Sequence, residues 1–170
     1  MSNATLTAAQ WNASVRDNLL ETAPAKATTA GRLIVTTGLG AVAERAVDSD
    51  ALATSQTTGS TGYTDLATPG PSVTVTTGTT AILLWSALIS NSTVNAKTYV
   101  DYAISGATTR APQDASSLRN TSATASAEIR AGQVMFETNM TPGSNTFTLK
   151  YRTNGGTGSF GDRRLTVIAL

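Results

Sequence analysis

The chain contains no histidine and no cysteine. Their absence removes the commonest general base and metal ligand, the thiol nucleophile and any disulfide framework, so most enzyme classes lose their usual parts. Charge of either sign is also scarce: 12 Lys and Arg stand against 11 Asp and Glu, for a net charge of +1. No basic block is longer than Arg163-Arg164, which argues against a surface that seeks phosphate and so against a nucleic-acid partner. Long apolar runs are missing too. Residues 1–20 are polar and charged throughout, and the longest apolar run, residues 81–85, is far too short to span a bilayer, so a soluble chain without a visible export signal or membrane partner is expected. Aromatic residues make up only 5% of the chain. So few leave a thin core per protomer and make burial shared between subunits an attractive source of stability.

What is abundant is threonine, followed by alanine, serine and glycine. That composition favours many short strands joined by small-residue turns. The first element is nevertheless a helix. In "TLTAAQWNASVRDNLLET", Thr7 and Gln10 have the spacing of a capping box, which predicts a helix over residues 7–21. Trp11, Val15 and Leu19 fall along one stripe with Ala8 and Asn12 beside it, while Arg16, Asp17 and Glu21 lie mostly off it. A helix of about 14 residues is marginal alone in water, so this stripe should dock on something. Its own domain, a neighbouring subunit and a larger assembly all satisfy that requirement.

Pro24 and small residues then lead into "GRLIVTTGLGAVAER". Taken literally, a strand followed by G-x-G-x-x-A opens a dinucleotide-binding fold. The context fails: no long helix, no second apolar strand and no acidic residue about 20 positions on follow it, since Asp48 and Asp50 come too early. The segment is therefore expected to be a hairpin with arms 32–36 and 41–47, Gly38 and Gly40 supplying positive φ at the turn. Residues 48–62 lack large apolar residues other than Leu52 and read as a linker.

Residues 63–170 have the size and patterning of one antiparallel β-sandwich. "SVTVTT" alternates valine with threonine, "TAILLWSALIS" is apolar around Trp85, and "TYVDYAIS" and "NTFTLKYRT" each place three large apolar residues on one face. "EIRAGQVMFETNM" reads as one long strand or a strand broken at Gly132. The last strand, "RRLTVIAL", is apolar to its end. Trp85, Leu165, Val167, Ile168 and Leu170 are accordingly the candidate subunit-interface residues.

Candidate chemistry is sparse. "TNGGTGSFGDRR" has glycines near arginines but lacks the Lys-Ser/Thr pair and the following helix of a phosphate cradle, so a hairpin loop is expected. Asp48, Ser49 and Asp50 offer too few oxygens for a cation cage. Asp101 with Glu128 or Glu137 forms a carboxylate pair only if the fold joins them. The four N-x-S/T sequons, at Asn3, Asn12, Asn91 and Asn120, are expected to be silent. Tyr63, Tyr99 and Phe160 are the aromatics available to a carbohydrate-binding tip. No catalytic residue, cofactor or metal site is assigned.

Two stretches, "TAAQWNASVRDNLLETAPAKATTAGRLIV" and "SGATTRA…TPGSNTFTLKYRTNGGTGSFGDRRLTVIAL", resemble structural virion proteins of tailed bacteriophages, particularly of actinobacterial hosts. The resemblance implies a non-enzymatic, often trimeric protein assembled in the host cytoplasm into the virion. Residues 1–47 would attach to the particle through Trp11, Val15 and Leu19, with the major capsid protein or tail proteins as partners and a mainly β, jelly-roll-like C-terminal domain facing out. It is compatible with capsid decoration or a head fibre, and also with a minor tail protein whose sandwich binds a host-surface glycan.

Overall fold

The computed structural model describes residue 5, residues 7–20 and residues 26–170. Glu21, Pro24 and the sequon at Asn3 lie outside these. Contacts divide the chain into two units, Met1–Arg45 and Ala46–Leu170.

In the first unit, helix α1 (Ala8–Leu20) starts where its capping box directs. The Gln10 amide donates to Thr7 Oγ1 at 3.2 Å, and the Thr7 amide donates back to Gln10 Oε1 at 2.9 Å, so two N–H groups that helix geometry leaves unpaired are satisfied reciprocally. Strands β1 (Leu33–Gly38) and β2 (Ala41–Arg45) form an antiparallel hairpin, with Val35 opposite Ala43. Gly40 takes a positive φ of 67°, whereas Gly38 does not and instead follows an irregularity in the pairing after Thr36. Glu44 holds the approach to the hairpin by accepting the Thr29 amide at 2.8 Å and the Thr28 hydroxyl at 3.1 Å. The glycines make a tight turn and open no helix.

The second unit is a sandwich whose topology follows from pairing the chain outside-in. Strands β3 (Val47–Leu52) and β11 (Gly158–Ala169) pair, then β5 (Ser72–Thr77) and β10 (Gly143–Thr153), then β6 (Ala81–Asn91) and β9 (Ile129–Glu137). The innermost pair is β7 (Lys97–Gly106) with β8 (Leu118–Thr121). Rolling this long antiparallel double strand also brings β6 against β11 and β7 against β10, giving sheets ordered β3-β11-β6-β9 and β5-β10-β7-β8. That order is an eight-stranded jelly roll. The short strand β4 (Gln56–Thr58) adds to β11.

The expected linker at 48–62 is corrected here, because most of β3 and all of β4 lie within it. A strand held chiefly by backbone pairing at a sheet edge needs no dry face, so "VDSDAL" carries no alternation to betray it. Conversely, Gly132 does not break β9, which pairs with β6 without a register shift from Ile129 to Glu137.

The core is filled by the inward residues of the central strands, among them Leu83, Trp85, Ile89, Phe147, Leu149, Leu165 and Val167. Each such side chain contributes roughly 1.5–3 kcal/mol on burial. The few aromatics are concentrated where they count: Trp85 meets Tyr102 edge-on with centroids 5.1 Å apart, and Tyr151 meets Phe160 at 4.9 Å. Asn91 is fully buried, its amide donating to Thr98, Thr153 and Gly155 oxygens. A bulge between Gly161 and Arg164 inserts an extra residue into β11, with Asp162 at a positive φ of 43°. Inward positions therefore switch from Gly158 and Phe160 to Arg163, Leu165, Val167 and Ala169. An arginine enters the core by this change of parity. Among the described residues, no helix is long and apolar enough to cross a membrane.

Candidate interaction surface

The outward positions of the β3-β11-β6-β9 sheet line up across the strands. Val47, Ile168, Ile82 and Phe136 form one cross-strand row, and Ser49, Thr166, Leu84 and Val134 the next. A third row holds Ala51, Arg164, Ser86 and Gly132. Val134 and Phe136 are 61% and 55% exposed, and Val47 and Leu84 are exposed as well. Because Gly132 has no side chain, the third row dips. The result is a depression of about 330 Å³ lined by Leu84, Trp85, Ser86, Gly132, Gln133, Val134, Arg164 and Thr166. Large apolar patches rimmed by polar residues are the kind of surface through which proteins associate.

The other sheet presents the opposite chemistry. On its outer face Ser72 and Thr148 share a hydrogen bond at 2.9 Å, and Thr74 and Thr146 one at 2.8 Å. Farther along, Lys150 Nζ contacts Asp65 at 2.7 Å. Arg152 donates from Nε to Asp114 at 2.8 Å while its guanidinium stacks 3.9 Å above the Tyr99 ring. This face is hydroxylic and ionic, so water satisfies it readily.

The fold joins two of the carboxylates singled out from sequence. Asp101 is fully buried, and its Oδ2 accepts from Arg110 Nη1 at 3.1 Å, the Gln113 amide at 2.6 Å and Ser116 Oγ at 3.1 Å. The same Arg110 places Nε 3.0 Å from Glu137 Oε1, which also accepts from the Tyr102 hydroxyl. Glu128 takes no part in these contacts. Burial pushes the Asp101 carboxyl above its usual value against the pull of the Gln113 amide and Arg110. Both carboxylates are thus engaged on one guanidinium that ties the β7–β8 loop to β9. Asp48 and Asp50 are engaged too: each accepts the next residue's amide at 2.8 Å, and Asp50 also accepts the Ser72 amide at 2.9 Å. Among the described residues, no group of three or more acidic side chains is arranged to hold a metal ion.

Trp11, Val15 and Leu19 share one stripe of α1, and their side chains are 61%, 42% and 61% exposed. Trp85, Leu165 and Val167 point into the protomer's own core, and the Trp85 indole donates to the Val100 carbonyl at 3.4 Å. Ile168 lies in the first outer row, and Leu170 is half-buried with its amide bonded to the Thr80 carbonyl at 3.1 Å. Tyr99 and Phe160 are buried and Tyr63 is half-buried. Val47, Ile82, Leu84, Val134 and Phe136 were not singled out from sequence. An apolar strand does not announce which of its faces meets its own core, and the uncharged alternation of "GQVMF" was the available signal.

No protein-family model matches the chain, and no curated protein does. Similarity appears at the level of solved structures. VP2 of infectious bursal disease virus, crystallised as a subviral particle, matches with a TM-score of 0.52 over 79% of this chain, at 11% identity. A chain from the structure of infectious bursal disease virus, Gx strain, matches with a TM-score of 0.49 at 14% identity, also over 79% of this chain. The chain spans 37% and 36% of those two proteins. The CBM22-1 xylan-binding domain of Paenibacillus barcinonensis Xyn10C gives a TM-score of 0.35 at 13% identity, over 84% of this chain and 89% of that one. The likeness to the VP2 subviral particle is one of fold: an antiparallel β-sandwich.

Proposed function

We propose that this protein is a non-enzymatic structural subunit of a tailed-phage virion, assembling as a homotrimer that decorates the head and is anchored through its N-terminal unit. The observation that carries the reading is the contrast between the two outer faces of the jelly roll. One is a threonine ladder suited to water, and the other is an apolar surface suited to a protein. The sandwich fold shared with VP2 and the sequence resemblance to tailed-phage virion proteins support a place in a particle. The sparse chemistry supports the absence of catalysis, since the Asp101 and Glu137 carboxylates are engaged on Arg110.

In this reading, the stripe of Trp11, Val15 and Leu19 enters a groove on the particle, the geometry by which amphipathic helices dock. The compact sandwich, without the long repeats of a shaft, favours the head over the tail. Two measurements test the proposal. Light scattering of the full chain should give the mass of three subunits or a multiple of three, and antibody labelling of gradient-purified phage particles should mark their heads. Label confined to the tail would move the protein there, and label absent from particles would overturn the structural reading.

A further inference from the structure

The two sheets of the sandwich have four edges, one of them shared by β3 and the short β4, and an unguarded edge is a template for pairing with another chain. Three are guarded. Strand β3 has six residues, and Asp48 and Asp50 turn their carboxylates onto the amides of Ser49 and Ala51. Asp50 also takes the amide of Ser72, the first residue of β5, closing that edge beside β3. Strand β8 has only four residues. Strand β9 is the longest of these edge strands. It has nine residues, pairs with β6 along one side for its whole length, and has no described strand on the other. It contains no proline, and its two charges stand near its ends, Arg130 paired with Asp162 and Glu137 with Arg110. Residues 131–136 between them are uncharged. Even the inward residues Ala131, Gln133 and Met135 are only half-buried.

We propose that β9 pairs antiparallel with β9 of a second copy about a two-fold axis through Val134, joining two five-stranded sheets into one continuous sheet. The strand is complementary to itself in this register. Side chains that meet across an antiparallel pair lie on the same face, so the outward residues Arg130, Gly132, Val134 and Phe136 must meet one another. An axis at Val134 sets Val134 against Val134 and, on both sides, Phe136 of one copy against Gly132 of the other. Each Phe136 then covers the depression that Gly132 leaves. An aromatic laid across an edge glycine is a recognised way of fixing register. Moving the axis one residue to Gln133 would set Phe136 against Arg130 and Gly132 against Val134, and moving it to Met135 would set Gly132 against Thr138; neither lays an aromatic ring over the depression. Half of the β9 amides and carbonyls, otherwise left to water, gain partners.

This seam goes beyond the trimer proposed above, because it joins bodies in pairs whether they are single or already in threes. The chain has no cysteine, so Val134→Cys introduces a single thiol. Residues facing each other across an antiparallel pair have Cα atoms about 4.5–5.5 Å apart, within the range a disulfide bridges. With oxidised glutathione as oxidant, Val134→Cys should form a covalent dimer, while Val94→Cys, exposed in the β6–β7 turn, should not. Val134→Lys should halve the mass measured by light scattering, from six chains to three or from two to one. Its thermal unfolding in the dissociated state should stay cooperative, since the side chain is solvent-facing. A wild-type mass of one or three chains, or cross-linking of Val134→Cys no greater than that of Val94→Cys, overturns the seam. A trimer unchanged by Val134→Lys would remove the seam and leave the proposed function standing, whereas a dimer split to monomers would keep the seam and remove the trimer.

Discussion

Arg163 is fully buried, with its Nη1 3.1 Å from the carbonyl oxygen of Gly70. The guanidinium also donates to the carbonyls of Thr68 and Thr54, both at 3.3 Å, while the Tyr151 hydroxyl donates to Gly70 at 2.7 Å. With no carboxylate in hydrogen-bond reach among the described residues, this cation is held by backbone dipoles, and in return it pins the segment that carries β4 to the sandwich. Arg163→Met would retain much of the volume and leave the Thr54 and Thr68 carbonyls without this donor. The expected cost is about 2 kcal/mol or more, against about 1 kcal/mol for Tyr151→Phe. Urea unfolding measures both. Equal midpoints for wild type and Arg163→Met would show that the segment is held by something else.

Arg110 supports a second prediction. Removing it by Arg110→Met leaves Asp101 buried and charged without its counter-ion, a loss that typically costs about 3–5 kcal/mol. Adding Asp101→Asn to that variant should recover part of the loss, because the neutral amide no longer carries an uncompensated charge. A double-mutant cycle isolates the coupling. If the double variant were as unstable as the sum of the two single ones, the pair would not be coupled, and the clamp between the β7–β8 loop and β9 would rest on the Arg110–Glu137 ion pair alone.

Much of the sandwich was legible because its central strands alternate. In β5 and β10 the dry face is written as Val73 and Val75, and as Phe147, Leu149 and Tyr151. The capping box of α1 was equally legible, being a local signal of two side chains. What stayed hidden depends on partners distant in sequence. Strand β3 is defined by its pairing with β11 and has no pattern of its own. The burial of Arg163 follows from a bulge that shifts the parity of β11, an event invisible in "GDRRLTV". The outer face of this sheet was half legible: β6 and β11 both contribute to it, but Trp85, Leu165 and Val167 face inward, while Leu84 and Ile168 lie on the outside. The chain signals how apolar a strand is more clearly than which of its faces meets its own core.

Acid should loosen the outer face of the hydroxylic sheet. The hydrogen bond from Arg152, above all, holds the Asp114 carboxyl below its usual value of 3.8. A carboxyl depressed in the folded state stabilises at pH values above its unfolded range, and that contribution is lost as pH falls through the folded value. Asp101 acts in the opposite sense: its carboxyl is raised by burial, so its contribution is present in acid and lost as pH rises through the raised value. Asp114→Asn should therefore flatten the acid limb of the stability curve, with little effect on the limb above the carboxylate range. Chemical unfolding of both proteins across acidic pH checks this, and an acid limb as steep in the variant as in wild type would remove Asp114 from the account.

The N-terminal helix provides the test of attachment. Its capping box fixes where α1 starts, and the stripe that follows exposes a tryptophan and a valine one turn apart, with Leu19 one turn farther. Thirteen residues of helix gain little from propensity alone, so a partner for that stripe would stabilise the helix as well as bind it. A tryptophan anchor in a protein interface commonly contributes about 2 kcal/mol or more, which corresponds to a loss of at least tenfold in affinity per subunit when it is removed. Three subunits acting together multiply such losses, provided that all three helices engage at once. Trp11→Ala should therefore reduce co-sedimentation with empty phage heads far more than tenfold. Its sandwich should unfold with an unchanged midpoint, because the buried hydrophobic core is built from Leu66 onward. A chain lacking residues 1–45 should behave like the Trp11→Ala variant. If wild type, Trp11→Ala and the shortened chain all bind heads equally, the sandwich is the attachment surface and the N-terminal unit is what the particle displays.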